Sequence, residues 1–220
     1  MKIEKYLIVG TGPSVKDLTR RDFRGINKDV GIIAVNSSIL FLPHADIWFT
    51  IDPSYRNLRY AKVAQGKSVP VVMALHNIDK NYGCKDLYRL KRKSREVPAR
   101  LRNAYSCKTP SDWFLRWGCI PGFSEELGAV HTGNSLFSAM NLAFLDKPKK
   151  IGILGLDGSN KASVGGGHLP NNLSHLPLLF ESTLPQLKAQ KISVMNGSSG
   201  STVSCYPKSG QRDLIEWLHE

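Results

Sequence analysis

A glycine turn near the start of the chain most constrains what this sequence can fold into. Residues 6–9 form a short apolar run rich in branched side chains, which is typical of a buried strand. Gly10-Thr11-Gly12 allows a sharp turn, and Pro13 and Ser14 are common at helix starts. This order directs free N–H groups at an anion, so the stretch predicts either a phosphate site or a tight turn without a ligand. We expect Gly12→Val to block a nucleotide while the fold survives.

Two further apolar runs, at 30–35 and 45–51, are predicted strands that each end in a polar residue. Asn36 follows the first run and Asp52 the second. Because ligands bind at the carboxyl edge of open α/β sheets, we expect Asn36 to contact the nucleotide and Asp52 to orient substrate. Each residue has a simpler alternative role as a helix cap.

The second half of the chain repeats this pattern. Thr132-Gly133-Asn134-Ser135 precedes a stretch at 135–145 with one apolar face, and the apolar run 150–156 ends in Asp157. We expect the polar residues of the two halves to form one site for a nucleotide or nucleotide-linked donor molecule. They are Gly10, Thr11, Gly12, Pro13, Ser14, Thr132, Gly133, Asn134, Ser135 and Asp157. Further strands are predicted at 69–75 and 192–196, and further helices at 17–23, 54 onward, 175–190 and 211–219. Alternating strands and helices predict an α/β fold, a single Rossmann-like domain over 1–220 with a largely parallel central sheet.

The stretch 80–123 breaks the alternation and is predicted to be a basic and aromatic insertion. Residues 80–102 carry nine Lys and Arg against two acidic residues, with tyrosines in or beside them. This pattern indicates either a solvated loop or a phosphate-binding patch, and we favour the patch. We expect Arg89, Lys91, Arg92 and Lys93 to bind an anionic acceptor, and residues 111–123 to form a lid over the site.

Composition limits the class of partner and the compartment. The net charge of +12 favours an anionic partner, such as a nucleotide, a glycan phosphate or a nucleic acid. The four cysteines form no C-x-x-C pair, which disfavours a zinc or redox motif. No apolar run approaches the ~20 residues that span a bilayer, and no signal-peptide pattern opens the chain. We therefore expect a cytoplasmic protein, in the host cytoplasm if phage-encoded, and a homo-oligomer is compatible with these features.

These motifs, in this order, resemble those of the bacterial lipooligosaccharide sialyltransferase family. The resemblance rests on Gly10-Thr11-Gly12-Pro13-Ser14, Asn36, Thr132-Gly133-Asn134-Ser135, Gly155-Leu156-Asp157 and His175; related phage-encoded and bacterial proteins share an ending like Val203-Ser204-Cys205-Tyr206-Pro207. It implies a Rossmann-like domain that transfers a sugar from a cytidine-monophosphate donor, with the glycine loop and Asn36 on the donor and a histidine as base. The sequence departs from the family pattern at two places near the donor. Thr11 stands where the family has Asn, and residues 157–175 lack the family's tyrosines.

Three functions fit these observations. The first is a glycosyltransferase that moves a sugar from a nucleotide donor to a hydroxyl of a glycan or modified DNA, without a cofactor or metal. The absence of any D-x-D pair favours a nucleoside-monophosphate leaving group or a phosphate stabilised by protein donors. The second is a pterin-type pyrophosphokinase, because archaeal pterin pyrophosphokinases and flagellin-modifying motility accessory factors also carry a G-x-G-P-S loop; Asp52 and Asp157 would then hold magnesium. The third is a non-enzymatic phage protein for nucleic-acid binding or assembly.

Transfer to a hydroxyl needs a general base, and histidine is suited to that role near neutral pH. Of the six histidines, His175 follows Ser174 at a predicted helix start and matches the family's histidine in order. We expect His175 to be the base, with a helix-capping or surface histidine as the alternative. His168, in a glycine-rich loop, is the second candidate.

Overall fold

One parallel sheet forms the centre of the molecule. The computed structural model describes residues 3–23, 25–80, 82–158 and 173–220, and eight strands pair within them. The strands are β1 (Lys5–Val9), β2 (Val30–Val35), β3 (Ile47–Thr50), β4 (Val71–Leu75), β5 (Leu87–Lys93), β6 (Ala129–His131), β7 (Lys150–Leu154) and β8 (Ser193–Asn196). Their spatial order is β6-β5-β4-β3-β2-β1-β7-β8, and every pairing is parallel. The predicted α/β fold with a parallel central sheet is confirmed.

The order of the strands reverses at β1. The chain lays β2 to β6 in succession on one side of β1, and then returns to place β7 and β8 on its other side. In the register of β1 and β7, Val9 lies opposite Leu154, so the two strands end together. Their following loops leave the same edge of the sheet in different directions, which opens a crevice at that point.

Six α-helices are present in the described residues. They are α1 (Tyr55–Gly66), α2 (Pro110–Arg116), α3 (Ser135–Leu145), α4 (Leu176–Glu181), α5 (Leu184–Ala189) and α6 (Gln211–His219). Short 3₁₀ turns add Pro13–Val15, Asn36–Leu40, Ala99–Leu101 and Ala104–Ser106. Within the described residues, no helix has the length and apolar character needed to cross a membrane.

The two faces of the sheet build two separate apolar cores. Successive strand residues point to opposite faces, so neighbouring residues such as Leu7 and Ile8 enter different cores. Ile8 shares its core with Phe137 of α3, and Leu7 shares the other with Ala61 of α1. Burial on both faces explains why the central strands are nearly continuous apolar runs.

The largest difference from the sequence prediction is in the stretch 80–123. Residues Leu87–Lys93 are not an insertion: they form β5, which pairs along its length with β4 and through its end with β6. This polar segment carries few apolar side chains, but its backbone pairing with the neighbouring strands makes it part of the sheet. The residues from 111 onward supply part of α2, which packs against α4.

Two predicted helices also differ. Residues 17–23 form turns instead of a helix, after the short 3₁₀ turn Pro13–Val15. The predicted helix over 175–190 is divided into α4 and α5. Pro185 lacks the N–H that a continuous helix would need, and it instead occupies the first turn of α5.

A buried asparagine in α3 ties the edge of the sheet to the loop before β6. Asn141 is fully buried, and its Oδ1 accepts hydrogen bonds from the backbone N–H groups of Ser124 (2.8 Å) and His131 (2.9 Å). Its Nδ2 donates to the carbonyl of Ser124 at 2.9 Å. One side chain therefore satisfies three buried backbone groups, and this fixes β6 relative to α3.

We predict that Asn141→Ala lowers the free energy of unfolding by about 3 kcal/mol, because it leaves these buried backbone groups unpaired. Urea denaturation with a shared m-value is the measurement. Asn27→Ala is the matched control, since Asn27 is exposed and its side chain makes no hydrogen bond with described residues. Equal midpoints for the two variants would contradict this role for Asn141.

Candidate functional site

A cavity of about 450 Å³ lies at the carboxyl edge of the sheet, at the reversal between β1 and β7. The loops after β1, β2, β3 and β7, the start of α3 and the start of α4 form its walls. The described residues that line it are Gly10, Thr11, Gly12, Pro13, Val35, Asn36, Ile51, Asp52, Arg92, Trp117, Thr132, Gly133, Asn134, Ser135, Leu136, Gly155, Leu156, Asp157, Gly158, Leu173, His175 and Leu176. This set includes every predicted donor-site residue except Ser14. A volume of this size suits a small organic ligand.

The glycines of the first loop allow protein segments to approach one another closely. A Cβ on Gly10 would lie 2.7 Å from Cδ1 of Leu136, at the start of α3. A Cβ on Gly12 would lie 2.0 Å from Oδ2 of Asp157 and 2.4 Å from the carbonyl oxygen of Gly155. The backbone N–H of Gly12 donates to that same carbonyl at 3.2 Å. The loops after β1 and β7 therefore interlock, which the glycine spacing alone does not indicate.

Ser14 contacts Asp157 and is not directed at the cavity. Its Oγ donates to Oδ2 of Asp157 at 2.9 Å, its backbone N–H lies 3.3 Å from the same oxygen, and its Oγ lies 2.8 Å from Oγ of Ser198. The assignment of Ser14 to the donor site stays a prediction. In this structure the carboxylate of Asp157 accepts from both the N–H and the hydroxyl of Ser14. Asp157 itself still lines the cavity.

The start of α3 supplies a positive helix end to the cavity. Asn134 caps the helix, with its Oδ1 accepting from the N–H of Leu136 at 2.8 Å. Gly133 has φ of 136°, and a Cβ there would lie 2.7 Å from Cδ2 of Leu179. These constraints hold Ser135 and the first turn of α3 at the cavity wall, where the helix dipole favours negative charge.

Asn36 is held in a left-handed backbone conformation, with φ of 55°, directly after β2. Its carbonyl accepts from Nε1 of Trp48 at 2.7 Å, and its Oδ1 accepts from Oγ1 of Thr50 at 2.8 Å. Because Oδ1 is engaged, the Nδ2 group is the part of the amide that remains for a ligand; it makes no hydrogen bond with described residues. Asn36 is thus a preorganised donor on the cavity wall.

Asp52 lies both at the cavity wall and beside the start of α1. It lines the cavity, and its carboxylate also accepts from the N–H of Ser54 at 3.1 Å and from Nδ2 of Asn57 at 3.2 Å. These bonds organise the start of α1. Over the described ranges, no cluster of three or more His, Cys, Asp or Glu side chains is arranged to hold a metal ion.

Arg92, predicted as an acceptor-binding residue, lines the cavity together with the predicted donor-site residues. Its Nε donates to Oγ1 of Thr132 at 2.7 Å, and its Nη1 donates to the carbonyl of Ile51 at 2.8 Å. Burial lowers the pKa of Arg92 and the charge of Asp52 opposes that shift, but a guanidinium stays cationic at neutral pH. The period of two along β5 was the available signal, because it places Arg92 on the same face as the inward-facing Leu90.

The other three predicted acceptor residues lie elsewhere. Arg89 and Lys91 are exposed, and strand alternation places them with Lys93 on the face opposite to Arg92. Lys93 forms a salt bridge with Glu126. The four basic residues therefore do not form a single patch.

His175 lies at the start of α4 and lines the cavity, with 1% of its surface exposed. Its Nε2 is 3.2 Å from the carbonyl oxygen of Gly133, which can only accept, so Nε2 carries a proton. Nδ1 is consequently the basic atom of the neutral ring. The indole of Trp117 lies with its centroid 6.4 Å from the imidazole. Trp117 is the described residue of the segment 111–123 that lines the cavity, and the lid stays a prediction.

The remaining histidines differ in position. His168 lies outside the described residues. His131 does not line the cavity, and its Nδ1 is 2.8 Å from the carbonyl of Gly122; burial lowers its pKa. His76 follows β4 near Arg92, where burial and then the charge of Arg92 lower its pKa. Among the described residues, neither His131 nor His76 lines the cavity, whereas His175 does.

No protein-family model, no curated protein and no solved structure matches this chain.

We predict that Gly12→Ala destabilises the protein by about 2 kcal/mol or more, because the new methyl group overlaps the carbonyl of Gly155 and the carboxylate of Asp157. This replaces the expectation that Gly12→Val leaves the fold intact. Thermal unfolding without ligand is the measurement. Gly66→Ala is the control, since a Cβ there meets nothing within 4 Å and its stability should stay the same or rise. A Gly12→Ala protein as stable as wild type would refute the interlock.

Proposed function

We propose that this protein is a glycosyltransferase that binds a nucleotide-activated sugar in the cavity and transfers the sugar to a hydroxyl group. The observation that carries the proposal is the half-buried guanidinium of Arg92, held by two hydrogen bonds at the cavity wall together with the start of α3. A partly desolvated cation with fixed partners and a helix N-terminus both favour a phosphate group. The position at the strand reversal is where sheets of this kind bind nucleotides.

The remaining wall supports a nucleoside and a sugar. Leu156, Leu173 and Leu176 supply apolar surface, while Asn36 supplies an amide donor. An apolar lining with a few fixed polar groups is typical of small-molecule sites. A cytidine-monophosphate donor is the particular form suggested by the resemblance to the sialyltransferases.

His175 is proposed as the general base. The acceptor oxygen forms a bond to the anomeric carbon while the bond from that carbon to the phosphate oxygen breaks. The nucleotide leaves with the bonding electron pair, and the acceptor proton passes to Nδ1 of His175. Arg92 and the first turn of α3 stabilise the charge that develops on the leaving phosphate.

A thermal-shift screen with nucleotides and nucleotide sugars tests the binding step. A ligand at ~100 times its Kd should stabilise the protein by ~2.7 kcal/mol. Release of free nucleotide from the donor that shifts the transition most, in the presence of a hydroxyl acceptor, tests the transfer. The absence of any shift with nucleoside mono- and diphosphates and their sugars would reject the proposal.

We predict that Arg92→Gln weakens donor binding by about 10- to 100-fold, the usual cost of losing a charged hydrogen-bond donor. Isothermal titration calorimetry measures the Kd, and unfolding without ligand checks that the variant folds. Arg92→Lys keeps the charge but not the fork of donors, so its affinity should fall between the two. Arg95→Gln is the matched control, because Arg95 is exposed and does not line the cavity. Wild-type affinity in a folded Arg92→Gln protein would contradict the phosphate assignment.

We predict that His175→Ala lowers turnover by ~10²–10⁴-fold with donor affinity nearly unchanged, as expected for loss of a general base. His131→Ala is the control, since that ring also bonds a backbone carbonyl but lies away from the cavity. A parallel loss in both variants would show that His175 acts only by supporting the structure.

A further inference from the structure

The positive charge of the chain is concentrated in one stretch. Residues 53–108 contain fourteen Lys and Arg and three Asp and Glu, a net charge of +11, while the whole chain carries +12. In the fold this stretch forms α1, β4, β5 and their connections, at one end of the sheet. The rest of the chain is therefore close to neutral, and the molecule is strongly polarised.

The outer side of α1 presents part of this charge. Tyr55, Arg59 and Lys62 recur at helical spacing and are all exposed, with Tyr55 81% exposed. The buried residues Asn57 and Ala61 lie on the opposite side of the helix. The row thus points directly away from the protein.

The next strand continues the charged surface. The helix α1 packs against β3 and β4, and on the neighbouring strand β5 the side chains of Arg89 and Lys91 stay exposed. Alternation places these two side chains on one face, about 7 Å apart along the strand. Arg92 follows Lys91 along β5, points to the other face of the sheet and lines the cavity.

Two contacts bring the helix and the strand together. Nε2 of Gln65, in α1, donates to the carbonyl of Lys85 just before β5. Burial raises the pKa of the Cys84 thiol, and the charges of Lys62 and Arg89 both oppose that shift, so both cations lie near this thiol. We define the α1–β5 basic face as the exposed side chains of Arg59, Lys62, Lys85, Arg89 and Lys91. None of them forms a salt bridge with a carboxylate among the described residues.

We propose that the α1–β5 basic face binds single-stranded nucleic acid. Lys91 lies near the carboxylate of Glu126, but none of the five cations forms a salt bridge with a described carboxylate. Such a face suits a phosphate backbone, and the exposed ring of Tyr55 suits stacking of an unpaired base. An acidic polysaccharide would use the cations but gain no stacking from Tyr55. Binding here does not depend on the transfer reaction, although Asp52 at the start of α1 also lines the cavity, so a bound strand would pass near its mouth.

Fluorescence anisotropy with a labelled 20-nucleotide single-stranded DNA tests the proposal across a range of salt concentrations. Arg89→Gln/Lys91→Gln should weaken binding on the order of 25-fold at 0.1 M salt and reduce the slope of log K against log[salt] by about 1.4, because each phosphate contact with a single strand contributes about 0.7. The matched control is Lys28→Gln/Lys188→Gln, which removes the same amount of charge. Both lysines are exposed and lie outside the α1–β5 basic face. Unchanged binding in the first double variant, or an equal loss in the control, would overturn the proposal.

Tyr55 separates nucleic acid from other polyanions. Tyr55→Ala should weaken DNA binding by at least about fivefold, while Tyr55→Phe should keep it, because the ring supplies the stacking surface. Heparin serves as the comparison ligand, and its affinity should not depend on Tyr55. Equal affinity of the wild type and Tyr55→Ala for DNA, together with heparin binding as tight as DNA binding, would assign the face to acidic polysaccharide instead. Donor binding measured in the same variants should stay at the wild-type value, so failure here leaves the transferase proposal to be judged separately.

Discussion

The close contact between the loops after β1 and β7 is the constraint on which the candidate site depends. Gly12 donates to the carbonyl of Gly155, and Ser14 donates to Asp157. Because a side chain on Gly12 would overlap Gly155 and Asp157, the two loops approach only when that position is glycine. The contact sets where β1 and β7 separate, and the cavity opens at that separation. The contacts of Asp157 with the loop after β1 therefore help to form the cavity wall.

The basic segment that forms β5 presents cations on both faces of the sheet, because successive side chains of a strand alternate between the two faces. Along β5, Arg92 points to the cavity side while Arg89 and Lys91 point to the other side. Arg92 also joins β5 to the ends of β3 and β6, through the carbonyl of Ile51 and the hydroxyl of Thr132. Contacts with three strands therefore fix the position of this half-buried cation. The exposed cations have no such partners and remain available to a polyanion.

The start of α3 and the start of α4 are linked through His175. The imidazole donates to the carbonyl of Gly133, immediately before the capping residue Asn134. A proton gained at Nδ1 would add a charge beside this carbonyl and strengthen the bond. In the proposed reaction the same residue would accept a proton from a hydroxyl, a role that affects turnover and leaves donor binding nearly unchanged.

The sequence by itself determined the parallel α/β fold, the full extents of α3 and α6, and most of the residues that line the cavity. Those features follow from local periodicity and from polar residues at strand ends, both of which are properties of short segments. Only the tertiary structure decided that 87–93 is a strand, because its few apolar residues gain their order from pairing with β4 and β6. It also decided that Ser14 faces Asp157 and that Arg92 enters the cavity. Both outcomes depend on contacts between residues far apart in the chain, such as the 143 positions between Ser14 and Asp157, and no local pattern encodes them.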